Sequence, residues 1–163
     1  MNPLSNSRRA TLLLTTAFII HNAEEALFIC RYPVVKLVSF IKPLSCGQFL
    51  VAVSIITLVV LLAVTTAMQT KNRDLYLFIT SSIAAALVLN AVVPHLIMAI
   101  YTLHYTPGLA STVLLNVPSG LWVIGINSRI YANRKKMLKH IGCGLAIGYL
   151  IFIVTTVLVK IFI

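Results

Sequence analysis

Acidic side chains are nearly missing from this sequence: three Asp and Glu among 163 residues, with charged residues of both signs amounting to 10%. A soluble domain carries about a quarter charged residues, so this chain lacks the polar surface to cover a water-facing globule. Cysteine is scarce too. Cys30, Cys46 and Cys143 show no Cys-x-x-Cys spacing, which removes the commonest thiolate metal sites. Cys30 and Cys46 fall near the two ends of one connection and could pair in an oxidising compartment; buried free thiols are the favoured expectation. No internal repeat is visible, which counts against a transporter built from inverted halves. A nucleotide-binding loop, a nucleophile elbow and a soluble domain are all absent, so no nucleotide cofactor is expected.

What the chain has instead is apolar length. Hydrophobic residues make up 60% of it and mean hydropathy is +1.00. Runs of about 20 such residues are what a bilayer core requires. Five segments can be drawn, at about 11–30, 48–68, 75–101, 108–127 and 141–163, within a single transmembrane domain covering 1–163. Open sheet is excluded in lipid because its unpaired backbone groups are too costly, so the fold class is all-α, a polytopic transmembrane helix bundle. Pro94 removes a backbone donor within the third segment and can bend it. The stretch 31–43, which interleaves Val, Leu and Ile with Lys36 and Lys42, is expected to be an interfacial helix, a re-entrant piece or an ordinary loop.

Thirteen Lys and Arg give a net charge of +10. They cluster between the apolar segments, where they read as topology signals and contacts to lipid phosphate rather than as a nucleic-acid surface. Nine of them (Arg8, Arg9, Lys71, Arg73, Arg129, Arg134, Lys135, Lys136 and Lys139) share one side of a five-span arrangement. Four (Arg31, Lys36, Lys42 and Lys160) share the other. The positive-inside rule therefore puts the N-terminus in the cytoplasm, with the basic run 134–139 against anionic head groups of the inner leaflet. Ser7-Arg8-Arg9 superficially resembles a twin-arginine signal, but the apolar stretch after it contains His21, Glu24 and Glu25 and no small-residue cleavage site follows. A retained first helix is the better expectation. The localisation expected is a cell membrane, multi-pass, as in a bacterial plasma membrane. Gly144 and Gly148 have a small-x-x-x-small spacing that fits helix packing within the bundle or a homo-oligomer.

Two of the three acids sit side by side inside the first apolar segment. An ionisable group at the bilayer centre costs roughly 2.5–3.5 kcal/mol on insertion scales, so two of them need water, a partner or a cation. At ~100° per residue, His21, Glu24 and Glu25 project from one face of a helix, and their i, i+3 and i, i+4 spacing lets them reach one ion. Imidazole with carboxylates suits zinc, iron or manganese, and the residues do not select among these. Partners must come from other segments. His95 and Asn90 in the third, and Asn116 in the fourth, converge with the His/Glu face on the outer half of the bilayer. His104 lies nearer the interface and is expected to be solvated. Pro107 and Gly108 read as a structural corner that stops the third helix and turns the chain into the fourth, and Tyr105 suits the interface belt.

His21-Asn22-Ala23-Glu24-Glu25 resembles the signature of the HXXEE family of membrane proteins. His95, with Asn90 shortly before it, looks like that family's second histidine, and Tyr105-Thr106-Pro107-Gly108 matches its Tyr-x-Pro-Gly motif. The resemblance runs from the first through the fourth segment. It implies that these residues act as a group, without implying a reaction. Three functions suit the group. One is a metal-dependent hydrolase or transferase acting on a lipid-like substrate, in which His21, Glu24, Glu25 and His95 are ligands and one of Glu24 and Glu25 is the general base. Asn90, Tyr105 and Asn116 then support the site or contact substrate. Another is an ion- or proton-coupled carrier or channel using the same carboxylates. The last is a non-catalytic membrane adaptor. Membrane lipids are the expected partners.

Overall fold

The computed structural model describes residues 3–31 and 44–163; the surface element expected over 31–43 lies, beyond Arg31, outside the described residues. Five helices among the described residues are long and apolar enough to cross a membrane: Pro3–Arg31, Cys46–Gln69, Arg73–Thr102, Leu109–Ile130 and Arg134–Phe162. No strand forms among the described residues. Large apolar side chains point outward on every helix, among them Leu27, Leu62, Ile100, Leu114 and Leu150, the pattern that membrane-crossing helices would need.

The helices start and stop where side chains can serve their orphan backbone groups. Ser45 accepts from the Gln48 amide while the Gln48 side chain accepts from the Ser45 amide, a capping box that opens the second helix. Asn72 caps the third helix through Asp74 and Leu75. Asn133 caps the fifth through Lys136, and this cap explains why that helix begins ahead of its apolar run. Arg73 Nη2 donates to the Ile130 carbonyl at 2.6 Å and serves the end of the fourth helix. The first helix likewise begins before its apolar run, because Ser7 and Ala10 are buried rather than trailing into solvent.

Two buried layers hold the bundle together. Nearest the start of the first helix is a polar one. Ser7 Oγ lies 2.8 Å from the Tyr76 hydroxyl and donates to Asn127 Oδ1 at 2.5 Å. The Asn127 amide donates to Thr80 and Ser81, both at 2.9 Å. Tyr131 links Ser81 to His140. Four helices are thereby joined through hydrogen bonds that sheltered polar groups need. Above this layer lies an apolar one of Ala10, Leu14, Phe18, Ala84, Leu87 and Val123. Gly120 lets the fourth helix approach Ala84 and Val88, and Gly144 does the same for the fifth helix against Ser82. The Gly144 contact lies within the chain, whereas a Cβ on Gly148 would meet nothing within 4 Å.

Cys30 and Cys46 form a disulfide, with Cα atoms 5.5 Å apart, so the expectation of free thiols at this pair is corrected. The end of the first helix and the start of the second lie side by side, within the reach of a cystine. Cys143 is free and exposed.

Candidate metal centre

Pro94 shapes the third helix as its chemistry dictates. Helical geometry ends at Asn90, Val93 takes extended angles (φ −124°, ψ 113°), and the Val93–Pro94 peptide is cis. A wide turn over Ala91–Leu96 follows, and it buries the His95 side chain. A second wide turn, Thr112–Asn116, lies opposite in the fourth helix. Between the two helices Leu103 (φ 54°) and Gly108 (φ 84°) adopt left-handed backbone. Gly108 needs to be glycine for a further reason. A Cβ there would lie 2.6 Å from His21 Cε1 and 2.8 Å from both Glu25 Cγ and His95 Cε1. The corner of the Tyr-x-Pro-Gly motif thus presses directly on the His/Glu group.

Three side chains converge there. Glu25 Oε1 lies 3.4 Å from His95 Nε2 and 3.8 Å from His21 Nε2. One potential ligand atom from each of His21, Glu25 and His95 falls within 4.8 Å of the other two. Both rings are buried and meet edge to face, with centroids 4.9 Å apart. Tetrahedral coordination with bonds of about 2.0–2.1 Å separates donors by about 3.3–3.4 Å, so small side-chain movements would close this set on one ion.

The other ring nitrogens are oriented for that role. His21 Nδ1 lies 3.1 Å from the Gly108 carbonyl and 3.3 Å from Ser111 Oγ. A carbonyl only accepts, so Nδ1 carries the proton and Nε2 keeps its lone pair. The Asn90 amide donates to that same Nε2 at 3.3 Å, in agreement with this tautomer. The Pro107 carbonyl is a partner of the His95 ring, while His95 Nε2 is buried without a hydrogen-bond partner among the described residues. Two successive carbonyls of the corner therefore face the two histidines. A backbone carbonyl on the far nitrogen is the usual way in which a protein orients a metal-ligating imidazole. Thr106 Oγ1, which the sequence did not single out, steadies the bend by donating to the His95 carbonyl at 3.2 Å.

Glu24 takes a different set of partners. Its Oε1 accepts from the Tyr105 hydroxyl and from the Gly108 amide (3.1 Å), and its Oε2 from the Ser111 amide (2.9 Å). Gly108 stands at the N-cap of the fourth helix and has no side chain to offer. A carboxylate from the first helix serves those amides in its place, favourably placed at a helix N-terminus. Asn22, inside the HxxEE motif, donates to Thr57 of the second helix at 2.6 Å. Asn116 is fully buried and donates weakly to Thr112 at 3.5 Å, with its Oδ1 unpartnered among the described residues. No hydrogen bond joins it to the trio among the described residues. His104 is exposed in the corner. Ser111, which touches both His21 and Glu24, is the main site residue that sequence reasoning missed. Its position, three residues into a helix that opens on an uncapped glycine, is the signal that could have found it.

Residues 12–123 match the family model described as a protein of unknown function with HXXEE motif. The chain is 32% identical over 108 residues to the uncharacterized protein YrkK of Bacillus subtilis (strain 168), an alignment covering 66% of this chain and 68% of that one. No solved structure matches.

Proposed function

The chain belongs to the HXXEE family, and on that premise we propose that it is a multi-pass membrane protein with a divalent-metal centre, acting as a hydrolase or transferase on a lipid-like substrate. The observation that carries this reading is the grouping of His21, Glu25 and His95, whose ligand atoms lie within 4.8 Å of one another, with the buried His95 Nε2 3.4 Å from Glu25 Oε1. His21, Glu25 and His95 would hold a divalent cation, which when bound would supply polarisation of a carbonyl or phosphoryl oxygen and a more acidic water. The chain's own part is to hold these three donors still. Corner carbonyls fix both rings, Glu25 supplies the anionic donor, and Glu24 ties the corner to the first helix. Burial keeps bulk water away, which strengthens every electrostatic contact inside.

The reading places the centre in the outer half of the bilayer. The nine-to-four partition of Lys and Arg supports that orientation. The Cys30–Cys46 disulfide supports it independently, because it lies at the same end of the first helix as Glu25 and suits an oxidising compartment. The apolar layer of Leu14, Phe18, Leu87 and Val123 separates the centre from the lower polar layer, which favours a closed reaction site over a conduit.

Elemental analysis of detergent-purified protein, offered zinc, iron(II) or manganese, tests this directly. About one ion per chain is expected, lost in His95→Ala and Glu25→Gln. Substoichiometric metal that is the same in wild type and variants would refute it.

A further inference from the structure

The seam between the first and fourth helices carries two open surface grooves that meet at one half-exposed side chain, Trp122. The groove nearer the N-terminus, about 360 Å³, is bounded by Asn6, Arg9, Ile126, Arg129 and Trp122. The other, about 450 Å³, is bounded by Leu13, Ala17, Ile20, Leu115, Pro118 and again Trp122. Leu13, Ala17 and Ile20 recur at helical spacing, so the second groove is an apolar slot of about 10 Å along the helix axis. One end of the seam is cationic and the other is apolar.

Among the described residues no carboxylate pairs with Arg9 or Arg129. Of the chain's three acids, Asp74 pairs with Lys136 at 2.7 Å, while Glu24 and Glu25 are engaged at the far end of the bundle. A second copy of the chain would bring the same three acids, all engaged, so it offers the arginines nothing. An anionic phospholipid complements both grooves at once. Guanidinium forks match phosphate oxygens in geometry and charge, and tryptophan suits the boundary between head group and chain.

We propose that this seam is a specific lipid site, holding one anionic phospholipid of the leaflet beside the N-terminus, its phosphate between Arg9 and Arg129 and one acyl chain past Trp122 in the apolar slot. The site shares no lining residue with the metal centre or with the basic run 134–139.

Trp122 is the chain's one tryptophan, so its fluorescence reports this seam alone. The full chain, reconstituted in phosphatidylcholine vesicles, is titrated with brominated phosphatidylglycerol or brominated phosphatidylcholine. Quenching by the glycerol lipid is expected at a several-fold lower mole fraction, and unlabelled phosphatidylglycerol should reverse it. Arg9→Gln with Arg129→Gln should bring the two lipids level, while Lys135→Gln with Lys139→Gln should leave the preference intact. If the glutamine pair fails to insert, Arg9→Lys with Arg129→Lys preserves the charge count, and at least half of the preference should still be lost with the guanidinium forks. Equal quenching in wild type overturns the proposal. So does a preference that survives the arginine substitutions, or one lost equally when Lys135 and Lys139 are changed.

Discussion

Gly108→Ala is the substitution on which the geometry of the centre bears most heavily. The residue sits at φ 84°, where an L side chain is strained, and its new Cβ would fall within 3 Å of three side chains. Left-handed backbone costs about 1–2 kcal/mol for a residue with a Cβ, and overpacking a filled interior about 1–3 kcal/mol, so a loss of about 2–5 kcal/mol is expected. The loss has a direction as well as a size. His21, Glu25 and His95 are the neighbours that must yield, and they are also the three convergent donors. Metal affinity should therefore fall at least tenfold along with stability. Gly125→Ala supplies the control, since a Cβ there meets nothing within 4 Å and the position is helical. Helix propensity alone would raise stability by up to about 1 kcal/mol in that variant. The paired measurement is the unfolding midpoint in mixed micelles with metal content on the same preparations. A Gly108→Ala protein that matches wild type in both would show that the corner does not hold the trio, and the reasoning would fail.

The two glutamates should separate cleanly. Glu25→Gln is expected to lower metal affinity at least tenfold in equilibrium dialysis, whereas Glu24→Gln should retain the metal and lose about 1–3 kcal/mol of stability through weakened contacts to Tyr105, Gly108 and Ser111. Gly144→Ala should destabilise the bundle, because its Cβ would overlap Ser82, while Gly148→Ala should be neutral or mildly stabilising in the same thermal assay. Asn127→Leu leaves Ser7, Thr80 and Ser81 without their shared partner and should cost about 1–3 kcal/mol in an unfolding titration, with metal content unchanged.

Much of the centre was legible in the sequence because ionisable residues are conspicuous in an apolar chain. His21, Glu25 and His95 stood out on that ground, and the structure brings them together. Helical periodicity gives the direction of a side chain, though not the neighbour it meets. His21, Glu24 and Glu25 share one face, but that face borders two elements: Glu25 turns to His95 and Glu24 to the corner before the fourth helix. The lower polar layer was illegible for a different reason. Ser7, Tyr76, Thr80 and Asn127 are ordinary members of apolar helices, and only tertiary packing makes them one network. Helix ends were blurred by the same logic, since hydropathy marks the apolar run and caps such as Asn133 lie outside it.

The contacts that serve Glu24 arrive late in the chain. Gly108 and Ser111 lie 84 and 87 residues downstream of it. If the first helix enters a membrane during synthesis, as the proposed function requires, it does so before these contacts exist, at a cost of roughly 2.5–3.5 kcal/mol for each acid that stays ionised near the bilayer centre. On that reading the first helix would be a reluctant entrant until the third and fourth helices deliver the corner, and the docking that completes the Glu24 contacts would also be what settles the first helix in the bilayer.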